Sequence, residues 1–286
     1  MNKIRRIRRV SKSKPTIEGA GVHLKRAFAH REVVILDPFL LFDDFHSDNP
    51  DEYIAGFPNH PHRGIETVTY MLEGKVEHQD SIGNQGVIKS GDIQWMTAGS
   101  GIIHSEMPAQ VDGLLWGFQL WVNLPATNKM MPPRYQDIPA DMVPEIMINN
   151  GIKIRILAGE INGIKGPVQN IVTNPEYIDV FIPENTTFEH RVNKDYTVFA
   201  YCFEGKGYFE PNKEQLVSKE HLIIFREGEL VQITASEDEH VRFLLVSGKP
   251  IKEPVAWYGP IVMNTQEEIK TAFEEYHKGT FLRAKR

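Results

Sequence analysis

The stretch Tyr70-Met71-Leu72-Glu73-Gly74 is echoed in the second half of the chain by Tyr201-Cys202-Phe203-Glu204-Gly205. In both places an apolar run ends at glycine and leads into a more polar hairpin. A second glycine-bearing turn follows, Ser90-Gly91-Asp92 in the first half and Glu227-Gly228-Glu229 in the second. A repeat of this length is typical of a duplicated domain rather than of a solenoid.

Similar apolar runs recur at short spacing up to about residue 250, separated by turns rich in Gly, Asn, Asp and Pro. They are rich in β-branched and aromatic residues, which favour strands. The clearest runs are 66–72, 93–96, 114–122, 152–158, 179–182, 197–203 and 241–246. This pattern predicts an all-β fold, either an antiparallel sandwich or a barrel in each half.

We place the connection between the two halves in the proline- and methionine-rich stretch 124–143. The predicted domains are residues 1–130 and residues 131–286. At 286 residues the chain has about the length of two ordinary domains.

One helix is well specified near the C-terminus. Thr265 and Glu268 have the spacing of a capping box, in which each residue satisfies a backbone N–H group of the first turn. Apolar residues then fall on one helical face, and Gly279 is a plausible C-terminal stop. These apolar residues are Ile269, Ala272, Phe273 and Tyr276. We expect a short amphipathic helix that packs against a barrel wall.

Charge and cysteine content restrict the function classes. The net charge of −6 disfavours direct binding to nucleic acid, which needs a basic surface. The single cysteine, Cys202, excludes an internal disulfide and lies in an apolar run, so a buried thiol is expected. No apolar run approaches the length of a membrane span, and no secretory signal follows the basic start. A cytoplasmic location is expected.

The first 14 residues are strongly basic. Such a block is typical of a strand with a solvated basic face, although an arm that binds an anionic partner stays an alternative. Its basic residues are Lys3, Arg5, Arg6, Arg8, Arg9, Lys12 and Lys14.

Two short motifs carry candidate chemistry. In His60-Pro61-His62, Pro61 favours extended backbone, on which residues two apart point to the same side. His104-Ser105-Glu106 repeats this spacing with an imidazole and a carboxylate. Two strands facing each other would bring three imidazoles and one carboxylate to one point, a ligand set that suits Fe, Mn, Ni, Cu or Zn. Each pair alone is also compatible with ordinary structural or surface histidines.

Longer stretches around these motifs resemble the hallmarks of the pirin family within the cupin superfamily. They are Phe57-Pro58-Asn59-His60-Pro61-His62-Arg63-Gly64-Ile65-Glu66-Thr67-Val68 and Gln94-Trp95-Met96-Thr97-Ala98-Gly99-Ser100-Gly101-Ile102-Ile103-His104-Ser105-Glu106-Met107-Pro108. Leu36-Asp37-Pro38-Phe39-Leu40-Leu41-Phe42-Asp43-Asp44-Phe45 and Gly259-Pro260-Ile261-Val262-Met263-Asn264-Thr265 agree as well. The resemblance covers nearly the whole chain.

The resemblance implies a bicupin: two cupin-type jelly-roll β-barrels, with a metal in the first and a short C-terminal helix at the end of the second. It implies one divalent transition metal, usually iron and therefore Fe(II) here, while Mn, Ni, Cu and Zn stay open. The residues that match the family's ligands are His60, His62, His104 and Glu106. The second domain has no His-x-His pair, so we expect no metal there. Its histidines are His190, His221 and His240.

Other chemistry-bearing residues receive structural interpretations. Glu66 lies near the position of a carboxylate ligand in general cupins, yet the family pattern assigns that role to Glu106. We therefore expect Glu66 to support the site or the fold. His78 is interpreted as a surface histidine of a hairpin, with a place at the cavity mouth as the alternative. Three tryptophans are candidates for the wall of a pocket, and we expect core packing for at least two of them: Trp95, Trp116 and Trp121.

Two functions from different classes follow from the resemblance. The first is a quercetin 2,3-dioxygenase-like enzyme that opens the heterocycle of a flavonol with O2 and releases carbon monoxide. In it Glu106 would be the catalytic base that takes the proton of the flavonol 3-hydroxyl. The alternative is a co-regulator without turnover, in which the metal's oxidation state alters a surface that binds a protein partner. The acidic balance disfavours direct DNA contact in either case.

Overall fold

The computed structural model describes residues 3–283, which are mostly β-strand. Within these residues the strands are β1 (Ile7–Lys12), β2 (Lys14–Glu18), β3 (Val22–Phe28), β4 (Phe39–Ser47), β5 (Phe57–His62), β6 (Ile65–Glu73), β7 (Lys75–Asp80), β8 (Gln85–Lys89), β9 (Ile93–Thr97), β10 (Ile102–Pro108), β11 (Leu115–Asn123), β12 (Arg134–Ile138), β13 (Glu145–Ile148), β14 (Ile152–Ala158), β15 (Glu160–Ile161), β16 (Ile164–Lys165), β17 (Glu176–Ile182), β18 (Thr187–Arg191), β19 (Thr197–Tyr208), β20 (Leu216–Ser218), β21 (His221–Phe225), β22 (Leu230–Ala235), β23 (Val241–Gly248), β24 (Ala256–Tyr258) and β25 (Ile261–Met263). The α-helices of this part of the chain are α1 (Val33–Leu36) and α2 (Gln266–His277).

The predicted mostly-β architecture is confirmed. Six of the seven apolar runs singled out in the sequence lie within a strand, and the run 114–122 begins one residue before β11. β14 coincides with the predicted run 152–158. The predicted connection 124–143 is more ordered than a linker, because β12 lies within it and pairs with β9. Tyr135 of β12 covers apolar residues of the neighbouring core, which explains why this stretch is held in the sheet.

The chain divides into two compact units, and each is assembled from three segments. The histidine unit comprises Pro15–Val33, Pro38–Ala140 and the described residues from Ile251 onward. The apolar unit comprises the described residues up to Lys14, Val34–Asp37 and Asp141–Pro250. The predicted domains, residues 1–130 and residues 131–286, are each one continuous range. Each observed unit instead combines a terminal segment with segments remote from it in the sequence.

The histidine unit contains two main antiparallel sheets. One has the strand order β12-β9-β6-β11-β4-β3-β2, and the other has the order β5-β10-β7-β8. Apolar residues from β6, β9 and β10 form part of its core, among them Ile65, Met96 and Ile102. The smaller sheet carries both candidate motifs, since β5 holds His60 and His62 while β10 holds His104 and Glu106.

The apolar unit is built on one large antiparallel sheet with the main order β1-β21-β19-β23-β17-β14-β13. Its interior is filled by a cluster of buried apolar side chains that includes Ile154, Val180, Phe243 and Leu245. A filled interior of this kind leaves the unit without room for a buried polar site in that cluster.

The basic N-terminal stretch forms the edge strand β1, as the strand interpretation predicts. Its basic residues are exposed except Arg5, which is 2% exposed. The Arg5 guanidinium donates to backbone carbonyls that include those of Gly228, Arg226 and Tyr196. Arg5 therefore departs from the expected solvated basic face, because its guanidinium is buried against these carbonyls.

The C-terminal helix α2 is confirmed. Thr265 accepts from the Glu268 N–H while Glu268 reaches back to the Thr265 N–H, which completes the predicted capping box. Ile269 and Ala272 are buried in a small core of the histidine unit, and Phe281 joins them. Among residues 3–283, no helix combines the length and the apolar composition that crossing a membrane requires.

Two buried cations fix the C-terminal segment beside strand β5. Arg63 pairs with Glu275 of α2 at 2.6 Å and donates to the carbonyl of Phe281 at 2.9 Å. Lys129 donates from Nζ to the carbonyls of Gly64 and Val262, both at 2.9 Å. Gly64 has φ +79°, and a Cβ there would overlap the carbonyl oxygen of Val262, so only glycine fits this close approach. The residues next to His62 are thus held by the far end of the chain.

Lys129 generates a stability prediction. Replacing it with Met leaves buried acceptors without a donor, so we expect the Lys129→Met free energy of unfolding to fall by about 3 kcal/mol. Burial lowers the pKa of Lys129 to about 7. Between pH 7 and 10 the unfolded chain therefore binds this proton more tightly than the folded one, and the contribution of Lys129 to stability rises with pH.

Urea unfolding at several pH values measures both effects. The difference between wild type and Lys129→Met should widen from pH 7 to pH 10. Lys89→Met, at an exposed position of the same unit, serves as the matched control and should stay within about 0.5 kcal/mol of wild type. A Lys129→Met protein as stable as the control would contradict the anchoring role.

Candidate metal centre

The two candidate motifs lie on hydrogen-bonded neighbours, β5 and β10. The strands are antiparallel, with His60 opposite His104 and Ile102 opposite His62. The sequence interpretation expected two strands facing each other, and the structure corrects this to adjacent strands of one sheet. Alternation along β5 still brings both of its histidines to one side, as the His-x-His spacing predicts.

The structure brings His60, His62 and His104 together. One ring nitrogen from each lies within 4.8 Å of the others. The ring centroids are 4.8 Å apart for His60 and His62, and 4.4 Å apart for His60 and His104. His62 and His104 are buried, at 2% and 1% exposure, whereas His60 is partly exposed.

Hydrogen bonds fix the tautomers of the two histidines on β5. Nδ1 of His60 lies 2.8 Å from the carbonyl of Pro58, and Nδ1 of His62 lies 3.1 Å from the carbonyl of Pro260. Because a carbonyl only accepts, both Nδ1 atoms carry the proton. In the neutral rings both Nε2 atoms are then acceptors, and they lie 3.1 Å apart. Two facing lone pairs repel unless an electrophile lies beside them.

His104 completes this arrangement. Both of its ring nitrogens are buried and have no hydrogen-bond partner. Burial, followed by the neighbouring His62 and His60, lowers the pKa of His104 well below its ordinary value. Burial likewise lowers the pKa of His62. Neutral imidazoles with unsatisfied lone pairs are the donors that divalent transition metals prefer, so these three residues fit such an ion.

Glu106 lies close to this cluster but is not a member of it. Its carboxylate is 6% exposed and accepts from Thr69 Oγ1 and Gln119 Nε2, both at 3.2 Å. Each oxygen keeps a free lone pair besides these bonds. Glu106, His60 and His62 line the same cavity.

That cavity has a volume of about 500 Å³ and lies within the histidine unit. It is of the size that holds ligands of drug-like dimensions. The walls are largely aromatic and apolar, and the aromatic residues that line it are Phe45, Tyr53, Phe57, Trp121 and Trp257. The space beside the histidines is therefore suited to a planar, mostly apolar molecule.

The role of Trp257 was missed in the sequence interpretation, which considered only Trp95, Trp116 and Trp121 as wall candidates. Trp257 lies 5.8 Å from Trp121 between ring centroids, and its ring lies 3.7 Å from that of His30. Trp95 is 1% exposed and belongs to the interior, as expected. No local signal marks Trp257, because a remote segment of the chain brings it to the cavity.

The predictions for Glu66 and His78 have different outcomes. Glu66 is fully buried and accepts from Thr97 Oγ1 at 2.8 Å, outside the histidine cluster, in keeping with the structural role expected for it. The surface interpretation of His78 is wrong, because this residue is 4% exposed. Its ring stacks on Tyr135 and lines a separate cavity of about 160 Å³. Gly86 leaves the space for that ring, since a Cβ there would lie 2.6 Å from His78 Nε2.

The histidines of the apolar unit lie in unrelated contacts. His190 pairs with Glu176 at 2.8 Å, and His221 donates to loop carbonyls. His240 stacks on Phe181. Among residues 3–283, the group of His60, His62 and His104 is the one set of side chains whose geometry could hold a metal ion.

Comparison with known proteins agrees with this architecture. Residues 21–122 match the Pirin family, and residues 177–282 match the Pirin C-terminal cupin domain. The chain belongs to the pirin family.

Relatives match over nearly full length. A Pseudomonas aeruginosa protein provisionally named a quercetin 2,3-dioxygenase is 42% identical over 98% of this chain and 99% of its own. Human pirin is 39% identical over 96% of this chain and 93% of its own. Among solved structures, a quercetin 2,3-dioxygenase from Acinetobacter baumannii has a TM-score of 0.90 at 33% identity, covering 97% of this chain and 98% of that one.

The tautomers of His60 and His62 can be measured directly. Long-range ¹H–¹⁵N correlation spectra of the protein loaded with diamagnetic Zn²⁺ should place the ring proton on Nδ1 in both residues. Both Nε2 atoms should then carry no proton, because the carbonyls of Pro58 and Pro260 hold the Nδ1–H groups. A proton on Nε2 of either ring would rule out the convergence of lone pairs described above.

Proposed function

We propose that this chain is a metal-dependent dioxygenase that opens the heterocycle of a flavonol of the quercetin type with O2 and releases carbon monoxide. One observation carries the proposal: three buried or half-buried imidazoles converge, and two of them, His60 and His62, line an aromatic-walled cavity together with Glu106. Two relatives that carry the name quercetin 2,3-dioxygenase, at 42% and 33% identity, support this substrate class.

The proposed ligands are His60, His62, His104 and Glu106. Fe(II) is the proposed metal, while Mn, Ni, Cu and Zn remain alternatives because geometry and availability together decide loading. When bound, the ion would supply Lewis acidity and a template that brings a flavonol and O2 together. A cupin-type jelly-roll barrel in each half of the chain is part of the same proposal, and the cupin match over residues 177–282 supports it for the second half.

The walls of the cavity would bind and orient the flavonol. Trp121 and Trp257 form one aromatic face, and Phe57 lies on the same cavity. Aromatic faces of this kind favour offset stacking with a planar ring system. Closure of the cavity by apolar groups would also keep water from the reacting carbon atoms.

Glu106 is the proposed catalytic base. Because its carboxylate lines the cavity, it can accept the proton of the flavonol 3-hydroxyl. Thr69 and Gln119 donate to its two oxygens and hold the carboxylate in place.

Aerobic incubation of the iron-loaded protein with quercetin tests the proposal. The visible absorbance of quercetin should disappear with turnover, and Glu106→Ala should lower kcat by at least about 100-fold, the range expected for losing a general base. Glu77→Ala, an exposed glutamate on the neighbouring strand β7, is the matched control and should behave as wild type.

Equal rates for wild type and Glu106→Ala would contradict the proposed role of Glu106. Absence of turnover in the iron-loaded wild type would contradict the enzyme itself. If the Fe(II) and Fe(III) forms of such an inactive protein bound a protein partner with different affinity, the co-regulator alternative would take its place.

A further inference from the structure

The carboxylate of Glu106 is held from two sides. Thr69 Oγ1 lies 3.2 Å from Oε1, and Gln119 Nε2 lies 3.2 Å from Oε2. Thr69 is 3% exposed, so this contact is made away from bulk water. Both donors therefore act on one buried carboxyl group, where a hydrogen bond is stronger than at the surface.

Gln119 is itself oriented by a tryptophan. The indole Nε1 of Trp121 donates to Gln119 Oε1 at 3.0 Å. Because an indole N–H only donates, it assigns the amide oxygen to Trp121 and leaves the amide NH2 group for Glu106. The same Trp121 ring packs edge-on against His62, with centroids 5.1 Å apart. One side chain thus fixes Gln119 and contacts a candidate ligand.

The sheet places the two donors side by side. Thr69 of β6 and Gln119 of β11 are direct register partners, so their side chains lie on the same face. On its other side Gln119 is opposite Asp43 of β4. Both carboxylate oxygens of Asp43 accept from Arg26, at 2.8 and 2.7 Å. Asp43 is therefore engaged elsewhere, and the Gln119 amide remains available to Glu106.

From this geometry we infer that Gln119 and Thr69 are positioning residues, which hold the Glu106 carboxylate so that its free lone pairs face the three histidines. Gln119, oriented by Trp121, fixes one oxygen, and Thr69 fixes the other. This inference rests on the proposed role of Glu106 as ligand and base. It assigns functions to three residues outside the ligand set, each of them on β6 or β11.

A purely structural role for the same hydrogen bonds makes a different prediction. Buried polar groups pair in any protein, and removing one partner disturbs the fold whatever Glu106 does. A positioning role acts only through Glu106, so its loss has no consequence for metal binding once Glu106 is gone. A double-mutant cycle separates the two roles.

The readout is the affinity of purified protein for Co²⁺, followed by titration and by the visible spectrum of the bound ion. We expect Gln119→Leu and Thr69→Val each to weaken Co²⁺ binding about 10-fold or more, the usual cost of removing a hydrogen-bond partner of a metal ligand. Thr69→Ser restores the hydroxyl and should bind within about 3-fold of wild type.

The same changes are then made in the Glu106→Ala background. There Gln119→Leu and Thr69→Val should each change Co²⁺ affinity by less than about 2-fold, because the group they position is absent. Equal losses in both backgrounds would overturn the inference, as would wild-type affinity in Gln119→Leu and Thr69→Val. Thr69→Val keeps nearly the volume of threonine and Thr69→Ser keeps the donor, so a loss in the first variant but not in the second traces to the hydrogen bond.

The proposed reaction and the positioning role of Gln119 and Thr69 are tested by independent experiments. Quercetin consumption tests the enzyme, whereas the Co²⁺ cycle is read without substrate. If the Co²⁺ cycle shows coupling to Glu106 but quercetin stays unchanged, the positioning role stands and the proposed reaction is disproved. If the protein consumes quercetin but the Co²⁺ cycle shows no coupling to Glu106, the proposed reaction stands and the positioning role is disproved.

Discussion

The candidate site depends on one electrostatic constraint, the 3.1 Å approach of the Nε2 atoms of His60 and His62. When a carbonyl accepts from an Nδ1–H group, the proton stays on Nδ1. The Nε2 atom of the same neutral ring then keeps its lone pair. Pro58 does this locally for His60, and Pro260 does it for His62 across 198 positions of sequence. A cation bound between them would relieve the repulsion of the lone pairs, and His104 adds a third ring whose nitrogens have no hydrogen-bond partner.

The surrounding structure maintains this constraint. Burial keeps His62 and His104 neutral, and the buried cations Arg63 and Lys129 fix the backbone that follows His62. The C-terminal segment supplies the carbonyl of Pro260 and the ring of Trp257, so the histidine unit is complete only with the end of the chain. Remote segments thus supply both the electrostatics and the walls of the cavity.

Features that depend on neighbouring residues could be predicted from the sequence. The alternation of β5 placed His60 and His62 on one side, and the capping box of Thr265 and Glu268 began the helix where expected. The position of Trp257 and the contact of Lys129 with Gly64 could not be predicted, because they join segments far apart in sequence. His78 was misjudged for a related reason: hairpin position alone does not reveal that Tyr135 from β12 covers it.

Anomalous diffraction at the iron edge, from crystals grown without oxygen and soaked in Fe(II), tests the central constraint most directly. One peak should lie about 2.1 Å from Nε2 of His60 and Nε2 of His62, the usual length of a bond between a metal and imidazole nitrogen. His104 and Glu106 should complete the ligand set. A map without a peak among these residues, with the rings turned apart, would contradict the metal centre and everything inferred from it.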